Sequence, residues 1–306
     1  MTANNLSYVS QKVKNLPLKI KREINRLPPV HALKEQAYQK ALNYHAQFLP
    51  QLDSQSTSFL GTLRNEGTCI IPIEDLNLSS TNLMLNMALS LADQLKTPLN
   101  KSTQKEASEV DCHQNNLREL PEILLWALEP KLLDLIENYV GLPILYQGFA
   151  IRRSIADGQY SGVRRWHIDW EDRRTVKVII YLNDVVAGGG PYEYISRKTT
   201  SEAIKKLNYN NLGYLSDQEI QKAVPKSDWT ACLAPQGSVI ITDTSSVFHR
   251  AQPPTQTERF SITFCYTSTS PQVMWKNSFI CPQQWETIEA DISQRQKKCL
   301  HKTRFS

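Results

Sequence analysis

Hydrophobic and polar positions divide the chain into a helical first half and a second half of short strands. Up to Phe48 the apolar positions follow a helical spacing, with Leu33 and Tyr44 on one stripe. The Pro28-Pro29 pair is expected to split this region into two helices, because proline has no N–H to donate within a helix.

Residues 51–58 are polar and typical of a connector. Helices and one buried strand, Thr68–Ile73, are predicted from Phe59 onward, and Gly141 is the expected end of the last helix. The polar stretch 99–118 is predicted to form a long loop.

Short runs of β-forming residues, separated by turn residues, fill the chain from Ile144 onward. The predicted strands are Ile144–Arg153, Thr175–Asn183, Tyr192–Ile195, Trp229–Leu233, Ser238–Asp243 and Phe260–Thr267. One helical insertion is expected, opened by a capping box at Ser216. This order favours a mainly β chain with flanking helices (α+β), built as a sandwich or barrel and not as a parallel sheet.

Composition and charge narrow the class of protein. The chain has 306 residues, of which 41% are hydrophobic and 21% charged, as in an ordinary globular protein. It lacks a signal-peptide pattern and any run near the roughly 18 apolar residues of a spanning helix, so we expect a cytoplasmic protein without a transmembrane segment. Six dispersed cysteines without a C-x-x-C pair argue against a thiolate zinc site.

The net charge of +5 is concentrated at the two ends, around a mildly acidic body. A nucleic-acid-binding protein would carry such charge on its folded face, so no nucleic-acid partner is expected. Solvated ends explain the pattern, although an acidic partner or an anionic membrane surface would also suit it. We therefore predict a basic helical extension (1–58), a main domain (59–290) and a basic tail (291–306).

A candidate metal site lies in the second half of the chain. His167 and Asp169 are two residues apart on an extended segment, so their side chains share a face. His249 follows a distant strand and would complete two imidazoles and one carboxylate. That set is the facial triad of non-haem Fe(II) oxygenases, although catalytic zinc accepts the same ligands. A single histidine would more often be structural.

Arg259 and Ser261 favour iron with 2-oxoglutarate over zinc. They lie two residues apart at the start of the last predicted strand and so share a face. A guanidinium fork beside a hydroxyl suits the far carboxylate of 2-oxoglutarate, whereas a zinc hydrolase needs no such clamp. Arg259 alone would usually be half of an ion pair.

These motifs together resemble the phytanoyl-CoA dioxygenase-like branch of Fe(II)/2-oxoglutarate oxygenases. The resemblance covers about residues 59–270 and rests on His167-x-Asp169-Trp170, the segments 189–195, 235–238 and 242–244, His249-Arg250 and Arg259-x-Ser261. It implies a double-stranded β-helix (jelly-roll, cupin-like) core. It also implies that His167, Asp169 and His249 bind iron while Arg259 and Ser261 hold 2-oxoglutarate. One departure is Ile195-Ser196-Arg197-Lys198, where family members often have Pro-Gly-Ser-His.

The resemblance implies hydroxylation of an unactivated C–H bond of a small molecule, using O2 and forming succinate and CO2, and the arginines near the metal motif would suit an anionic or carrier-linked substrate. Related halogenases replace the carboxylate ligand with a small residue, whereas Asp169 is intact. Desaturation or cyclisation on the same scaffold stays open. A non-catalytic metal-binding jelly-roll sensor is the alternative from another class.

Further contacts are expected around the metal. Gln147 and Tyr181 lie within predicted strands and are candidates to bind 2-oxoglutarate, although a structural role is as plausible. Trp170 and Tyr192 are candidates for the substrate mouth, although aromatic side chains are more often core. Six arginines bracket the metal motif: Arg152, Arg153, Arg164, Arg165, Arg173 and Arg174. They could recognise an anionic substrate or form a solvated, ion-paired rim. Arg153 and Arg165 are the candidates for substrate contact.

Overall fold

The computed structural model describes residues 27–96, 109–113, 121–210, 213–275, 279–280 and 282–302. Among these residues, 27–48 belong to one compact unit and those from Leu49 onward belong to another. In the first unit, helix α1 (Pro28–His45) begins at the Pro28-Pro29 pair, where a missing N–H costs no helical hydrogen bond. The helix predicted before this pair lies outside the described residues.

The second unit contains both helices and strands. Its helices are α2 (Ser54–Glu66), α3 (Thr81–Gln94), α4 (Pro121–Ala127), α5 (Pro130–Val140), α6 (Arg197–Lys206), α7 (Asp217–Gln221), α8 (Pro282–Ile288) and α9 (Gln294–Lys298). Its strands are β1 (Thr68–Pro72), β2 (Glu109–His113), β3 (Ile144–Ser154), β4 (Val176–Tyr181), β5 (Tyr192–Ile195), β6 (Trp229–Ala231), β7 (Ser238–Asp243), β8 (His249–Ala251), β9 (Arg259–Ser268), β10 (Phe279–Ile280) and β11 (His301–Lys302).

Six strands form an antiparallel sheet in the order β1-β7-β4-β9-β3-β2. Side chains alternate between its faces, so Val176, Val178 and Ile180 of β4 are buried with residues of α2 to α5. Each such apolar side chain contributes roughly 1.5–3 kcal/mol when fully buried. The intervening residues Lys177 and Tyr181 therefore point to the opposite, inner face of the sheet.

A smaller antiparallel sheet in the order β6-β5-β8 covers that inner face. Tyr181 and Ile240 of the larger sheet pack with Tyr192 and Tyr194 of the smaller one in a single buried cluster. Two antiparallel sheets enclose an interior, and helices cover the outer face of the larger sheet. The predicted jelly-roll core with flanking helices is confirmed.

The long loop predicted for 99–118 is wrong in its centre. Strand β2 pairs there with β3 in antiparallel register, which places Asp111 opposite Arg152. The carboxylate of Asp111 accepts from the Nε of Arg152 at 2.7 Å. The polar residue Asp111 thus belongs to a strand, where it pairs with a charge on the neighbouring strand, although polarity alone made this part of the chain resemble a loop.

Two helices also differ from the prediction. Helix α2 begins at Ser54, within the predicted connector, because the Asp53 side chain accepts from the Ser56 N–H and caps the helix. Helix α6 was not predicted, and it begins after Ser196 at the point where the sequence departs from the family pattern. The predicted capping box at Ser216 is present at the start of α7.

Part of the predicted basic tail is packed against helix α5 within the second unit. Arg295 of α9 lies 2.6 Å from the carboxylate of Glu137 and also contacts that of Asp134, both on α5. Cys299 and Leu300 are buried. Some of the positive charge at this end is therefore neutralised within the domain.

Among the described residues, no helix combines the length and the apolar character needed to cross a membrane.

Candidate metal centre

Backbone pairing holds the two candidate histidines side by side. The N–H of His167 donates to the carbonyl of His249 at 3.1 Å, and the N–H of His249 donates to the carbonyl of His167 at 3.0 Å. Two residues later the Asp169 N–H donates to the carbonyl of Thr244 at 2.9 Å, which keeps the segment extended. The side chains of His167 and Asp169 consequently lie on one face, as the spacing predicted.

The three side chains converge on one point. Ligand atoms from His167, Asp169 and His249 all lie within 4.8 Å of one another. The Nε2 atoms of His167 and His249 lie 3.6 Å from Oδ1 and Oδ2 of Asp169, respectively. Neighbouring ligands bound to one metal ion at about 2.1 Å lie about 3 Å apart, so a small inward movement suffices. The geometry fits a metal ion.

The tautomer of each imidazole also suits a metal. The Nδ1 of His167 lies 2.8 Å from the carbonyl oxygen of Arg165, and the Nδ1 of His249 lies 3.1 Å from that of Val247. A carbonyl oxygen only accepts, so each Nδ1 carries the hydrogen. Both Nε2 lone pairs are then directed at the triad, which is the arrangement that backbone partners impose on metal-binding histidines.

Asp169 is held ionised by a neighbouring lysine. Burial acts to raise the pKa of this carboxyl, but the positive charge of Lys177, with smaller contributions from His249 and His167, outweighs burial, and the pKa lies well below its usual range. The ammonium of Lys177 contacts Oδ2 of Asp169 directly. Glu171, whose Oε1 lies 4.0 Å from the ammonium, has a raised pKa because it is buried near the charge of Asp169.

The imidazoles are neutral at physiological pH. Burial lowers the pKa of His167. Burial and the nearby His167 lower the pKa of His249 to about 3. The neutral form is the one that coordinates a metal ion.

We expect His249 to make the metal-free protein lose stability as the pH falls from 7 to 5. In the unfolded chain the imidazole takes a proton near pH 6.5, whereas in the folded protein it stays neutral to about pH 3. The contribution of His249 to the free energy of unfolding is complete above the pKa of the unfolded chain and is smaller by about 2 kcal/mol at pH 5. Denaturant unfolding at both pH values should show a smaller decrease for His249→Gln than for wild type.

His31→Gln, at an exposed position of α1, is the control for this pH measurement and should show the wild-type decrease. An equal decrease in wild type and both variants would contradict the assignment to His249.

Arg259 is buried without an acidic partner. Its side chain is on the inner face of β9, and the residue is 5% exposed. One terminal nitrogen donates to the carbonyl of Gly190 and the other to the hydroxyl of Ser154 at 3.1 Å, while its Nε has no partner. Burial lowers the pKa of the guanidinium. Within the described ranges no carboxylate forms an ion pair with it, so the site fits an anionic ligand.

A short segment connects this arginine with the metal ligands. Gly190 has a φ of +68°, and a Cβ there would lie 2.6 Å from the carbonyl oxygen of Gln252, so a larger residue would be strained. Two residues later the Tyr192 ring stacks on His249 at a centroid distance of 5.7 Å. The segment from Gly190 to Tyr192 therefore contacts both Arg259 and the candidate metal ligand His249. Ser261 is buried on the same face of β9 as Arg259.

Gln147 and Tyr181, predicted to contact 2-oxoglutarate, are engaged with the protein itself. The Gln147 side chain donates to the Thr267 hydroxyl at 2.8 Å and accepts from the Trp275 N–H at 3.0 Å. The Tyr181 hydroxyl donates to the Cys232 carbonyl at 3.0 Å and accepts from the backbone N–H at 192 at 2.9 Å. Both side chains therefore have protein partners, and their contact with 2-oxoglutarate stays a prediction.

The bracketing arginines do not gather around one mouth. Arg152 and Arg153 are consecutive on β3 and point to opposite faces. Each forms a two-pronged ion pair, Arg152 with Asp111 and Arg153 with Glu258. Arg153 thus lies on the helix side, which does not support its predicted contact with substrate. Arg165, with 37% of its side chain exposed, stays a candidate.

The aromatic residues near the ligands also differ from the prediction. Tyr192 is in the interior and not at the mouth, because it is buried and its hydroxyl shares a 2.9 Å hydrogen bond with Thr242. Tyr214, which was not predicted, lies edge-on to His167 at 5.1 Å and is 42% exposed. Trp170 is half-buried directly after the metal motif. Tyr214 therefore lies at the exposed side of the centre, and Trp170 stays a candidate.

Sequence reasoning also missed Lys177, Glu171 and Trp275. The indole N–H of Trp275 donates to Glu171 at 3.2 Å, and its ring lies 5.5 Å from the ammonium of Lys177. A signal for Lys177 was present, since it is a single charge within the apolar run Val176–Tyr181. No comparable pattern indicated Trp275.

No protein-family model and no curated protein matches the chain, whereas solved structures do. SnoK, a non-heme α-ketoglutarate dependent carbocyclase from nogalamycin biosynthesis, is 14% identical, with a TM-score of 0.52 over 72% of this chain and 88% of its own. The epimerase SnoN from the same biosynthesis is 12% identical (TM-score 0.46, 71% and 83% covered). HygX from Streptomyces hygroscopicus, solved with nickel and 2-oxoglutarate bound, is 14% identical (TM-score 0.47, 72% and 88%). The likeness to SnoK shows that this chain has the fold of a non-heme α-ketoglutarate dependent enzyme.

Proposed function

We propose that the protein is an Fe(II)- and 2-oxoglutarate-dependent dioxygenase that hydroxylates a small molecule, in the phytanoyl-CoA dioxygenase-like branch. The observation that carries the proposal is the buried Arg259, whose Nε has no partner and which forms no ion pair with a carboxylate of the described residues. A dicarboxylate with one end at the metal and the other at Arg259 would supply the missing negative charge.

The donor set supports iron as the metal. Two neutral imidazoles and one carboxylate fit Fe(II), and three protein ligands leave positions open for a cosubstrate. Zinc accepts the same ligands, but a zinc hydrolase gives Arg259 no role. Bound iron with 2-oxoglutarate and O2 would supply the oxidation of an unactivated C–H bond, with succinate and CO2 as products.

The residues of the chain would bind the metal ion and 2-oxoglutarate and orient them. His167 and His249 present their Nε2 atoms because backbone carbonyls fix each Nδ1–H. Arg259, with the hydroxyls of Ser154 and Ser261, would hold the far carboxylate of 2-oxoglutarate. Tyr214, whose ring lies edge-on to His167, would contact a substrate on the exposed side of the metal centre, and Trp170 and Arg165 are further candidates.

An anaerobic titration tests the proposal. Purified metal-free protein should bind one Fe(II), and adding 2-oxoglutarate should produce the weak visible charge-transfer band of the chelate. Admitting O2 should then give succinate. Iron binding without this band and without succinate would overturn the oxygenase assignment and favour a metal-binding sensor.

Two acidic positions provide the controls for that titration. Asp169→Ala should abolish the band because it removes the anionic ligand. Asp93→Ala removes an exposed carboxylate on α3, which is ion-paired with Lys96, and should behave as wild type. Equal titration curves for the two variants would place the metal elsewhere.

A further inference from the structure

Lys177 is a charged side chain on the inner face of the larger sheet, next to a metal ligand. Its ammonium contacts Oδ2 of Asp169 and lies 4.0 Å from Oε1 of Glu171. Only 16% of the side chain is exposed. Burying a lysine costs desolvation energy. Beside a metal-ligating carboxylate, its positive charge also repels the metal ion.

Trp275 keeps this lysine away from water. Its ring lies 5.5 Å from the ammonium, and its indole N–H donates to Glu171. The N–H groups of Gln272 and Val273 donate to the Glu171 carbonyl at 2.7 and 3.0 Å, which fixes the segment before the tryptophan. The ammonium is thus confined between Asp169, Glu171 and the indole.

We propose that Lys177 is a positioning residue that makes the site prefer a metal ion together with a dianionic cosubstrate over the metal ion alone. The inference rests on the proposed function and goes beyond the triad and the arginine. Lys177 holds Asp169 through Oδ2 and leaves Oδ1, the oxygen nearer His167, available to the metal. Its positive charge opposes the metal but attracts the anion that follows.

The charges of the buried groups support this division. When Asp169 and Glu171 are both ionised, they balance Lys177 and Arg259, so the charges of these four groups sum to zero; the nearby Arg152 is itself paired with Asp111. A divalent metal with a doubly charged 2-oxoglutarate keeps that sum, whereas the metal alone leaves two positive charges. Without Lys177, one positive charge fewer would repel the metal ion. The site with both metal ion and 2-oxoglutarate bound would then carry one unbalanced negative charge. At a few ångströms and an effective dielectric constant near 20, one unit charge changes a binding constant by roughly tenfold or more.

Lys177→Met tests this proposal, because methionine keeps the length and the contact with Trp275 but removes the charge. Metal affinity is measured anaerobically by competition with a chromophoric chelator, and 2-oxoglutarate affinity by calorimetry on the iron-loaded protein. We expect iron alone to bind at least as tightly as in wild type and 2-oxoglutarate to bind roughly tenfold more weakly. A residue with a merely structural role would weaken both.

Lys177→Arg restores the charge and should recover most of the 2-oxoglutarate affinity, while Lys205→Met, at an exposed position of α6, is the matched control. Lys177→Gln replaces the methionine variant if that variant does not fold. Unchanged 2-oxoglutarate affinity, or parallel loss of both affinities, overturns the role of Lys177 and leaves the proposed function intact. A wild-type protein that binds neither iron nor 2-oxoglutarate overturns both.

Discussion

Replacing Arg259 with methionine should raise the 2-oxoglutarate concentration that half-saturates the iron-loaded protein by about a hundredfold. Removing one partner of a buried, hydrogen-bonded charge pair costs about 2–5 kcal/mol, and this guanidinium is the positive charge proposed to receive the far carboxylate. Iron binding should change by less than about 0.5 kcal/mol, because Arg259 contacts Gly190 and Ser154 and none of the metal ligands.

The same substitution should leave the metal-free protein as stable as wild type, or more stable. In the absence of an anion Arg259 carries a buried charge without an acidic partner, and an apolar side chain of similar length removes that desolvation cost. The affinity for 2-oxoglutarate would therefore fall without a loss of stability in the metal-free protein. Calorimetric titration with 2-oxoglutarate and urea unfolding of the metal-free protein measure the two quantities.

Arg153→Met is the matched control for Arg259→Met. Arg153 lies on the neighbouring strand β3, but its guanidinium is paired with Glu258 and lies on the helix side of the sheet. Its loss should lower stability and leave 2-oxoglutarate affinity unchanged. Equal effects of the two substitutions on 2-oxoglutarate binding would contradict the role assigned to Arg259.

The metal triad could be predicted because its signal is local. His167 and Asp169 are two apart on an extended segment, so alternation alone places them together, and His249 follows a strongly apolar strand. Arg259 and Ser261 were predictable for the same reason. In both pairs the relation lies within one segment, whereas the proximity of the distant His249 to His167 follows from backbone pairing that spacing could not show.

The parts that could not be predicted depend on which strand lies beside which. The acidic residues of β2 resemble a loop until register places Asp111 opposite Arg152. Arg152 and Arg153 resemble one basic cluster in sequence, although the sheet separates them to opposite faces. The contact of Lys177 with Asp169 likewise requires the fold, since an isolated strand does not show which side chains its inner face will meet.

Replacing Arg250 with methionine should lower the free energy of unfolding by about 3–5 kcal/mol, because it breaks a buried ion pair and leaves an acid uncompensated. Arg250 is 2% exposed, donates to Glu193 at 2.6 Å and contacts Asp217. Its guanidinium lies 4.6 Å from the ring of Trp166, which precedes His167 just as Arg250 follows His249.

Both metal-binding segments are thus anchored by one network on the side opposite the ligands. The indole N–H of Trp166 donates to Asp217 at 3.1 Å, so the acid that Arg250 contacts also holds the segment of His167. Loss of Arg250 should therefore reduce the rise in unfolding temperature that Fe(II) produces, in addition to lowering stability. Urea unfolding and thermal unfolding with and without Fe(II) measure the two effects.

Arg295→Met separates this role from the general loss of an arginine. Arg295 also contacts two acids, Asp134 and Glu137, but 41% of its side chain is exposed. Because solvent screens such a pair, its loss should cost about 1 kcal/mol or less and leave the effect of Fe(II) unchanged. If Arg250→Met were no more destabilising than Arg295→Met, the network behind the ligands would not be what holds His167 and His249 together.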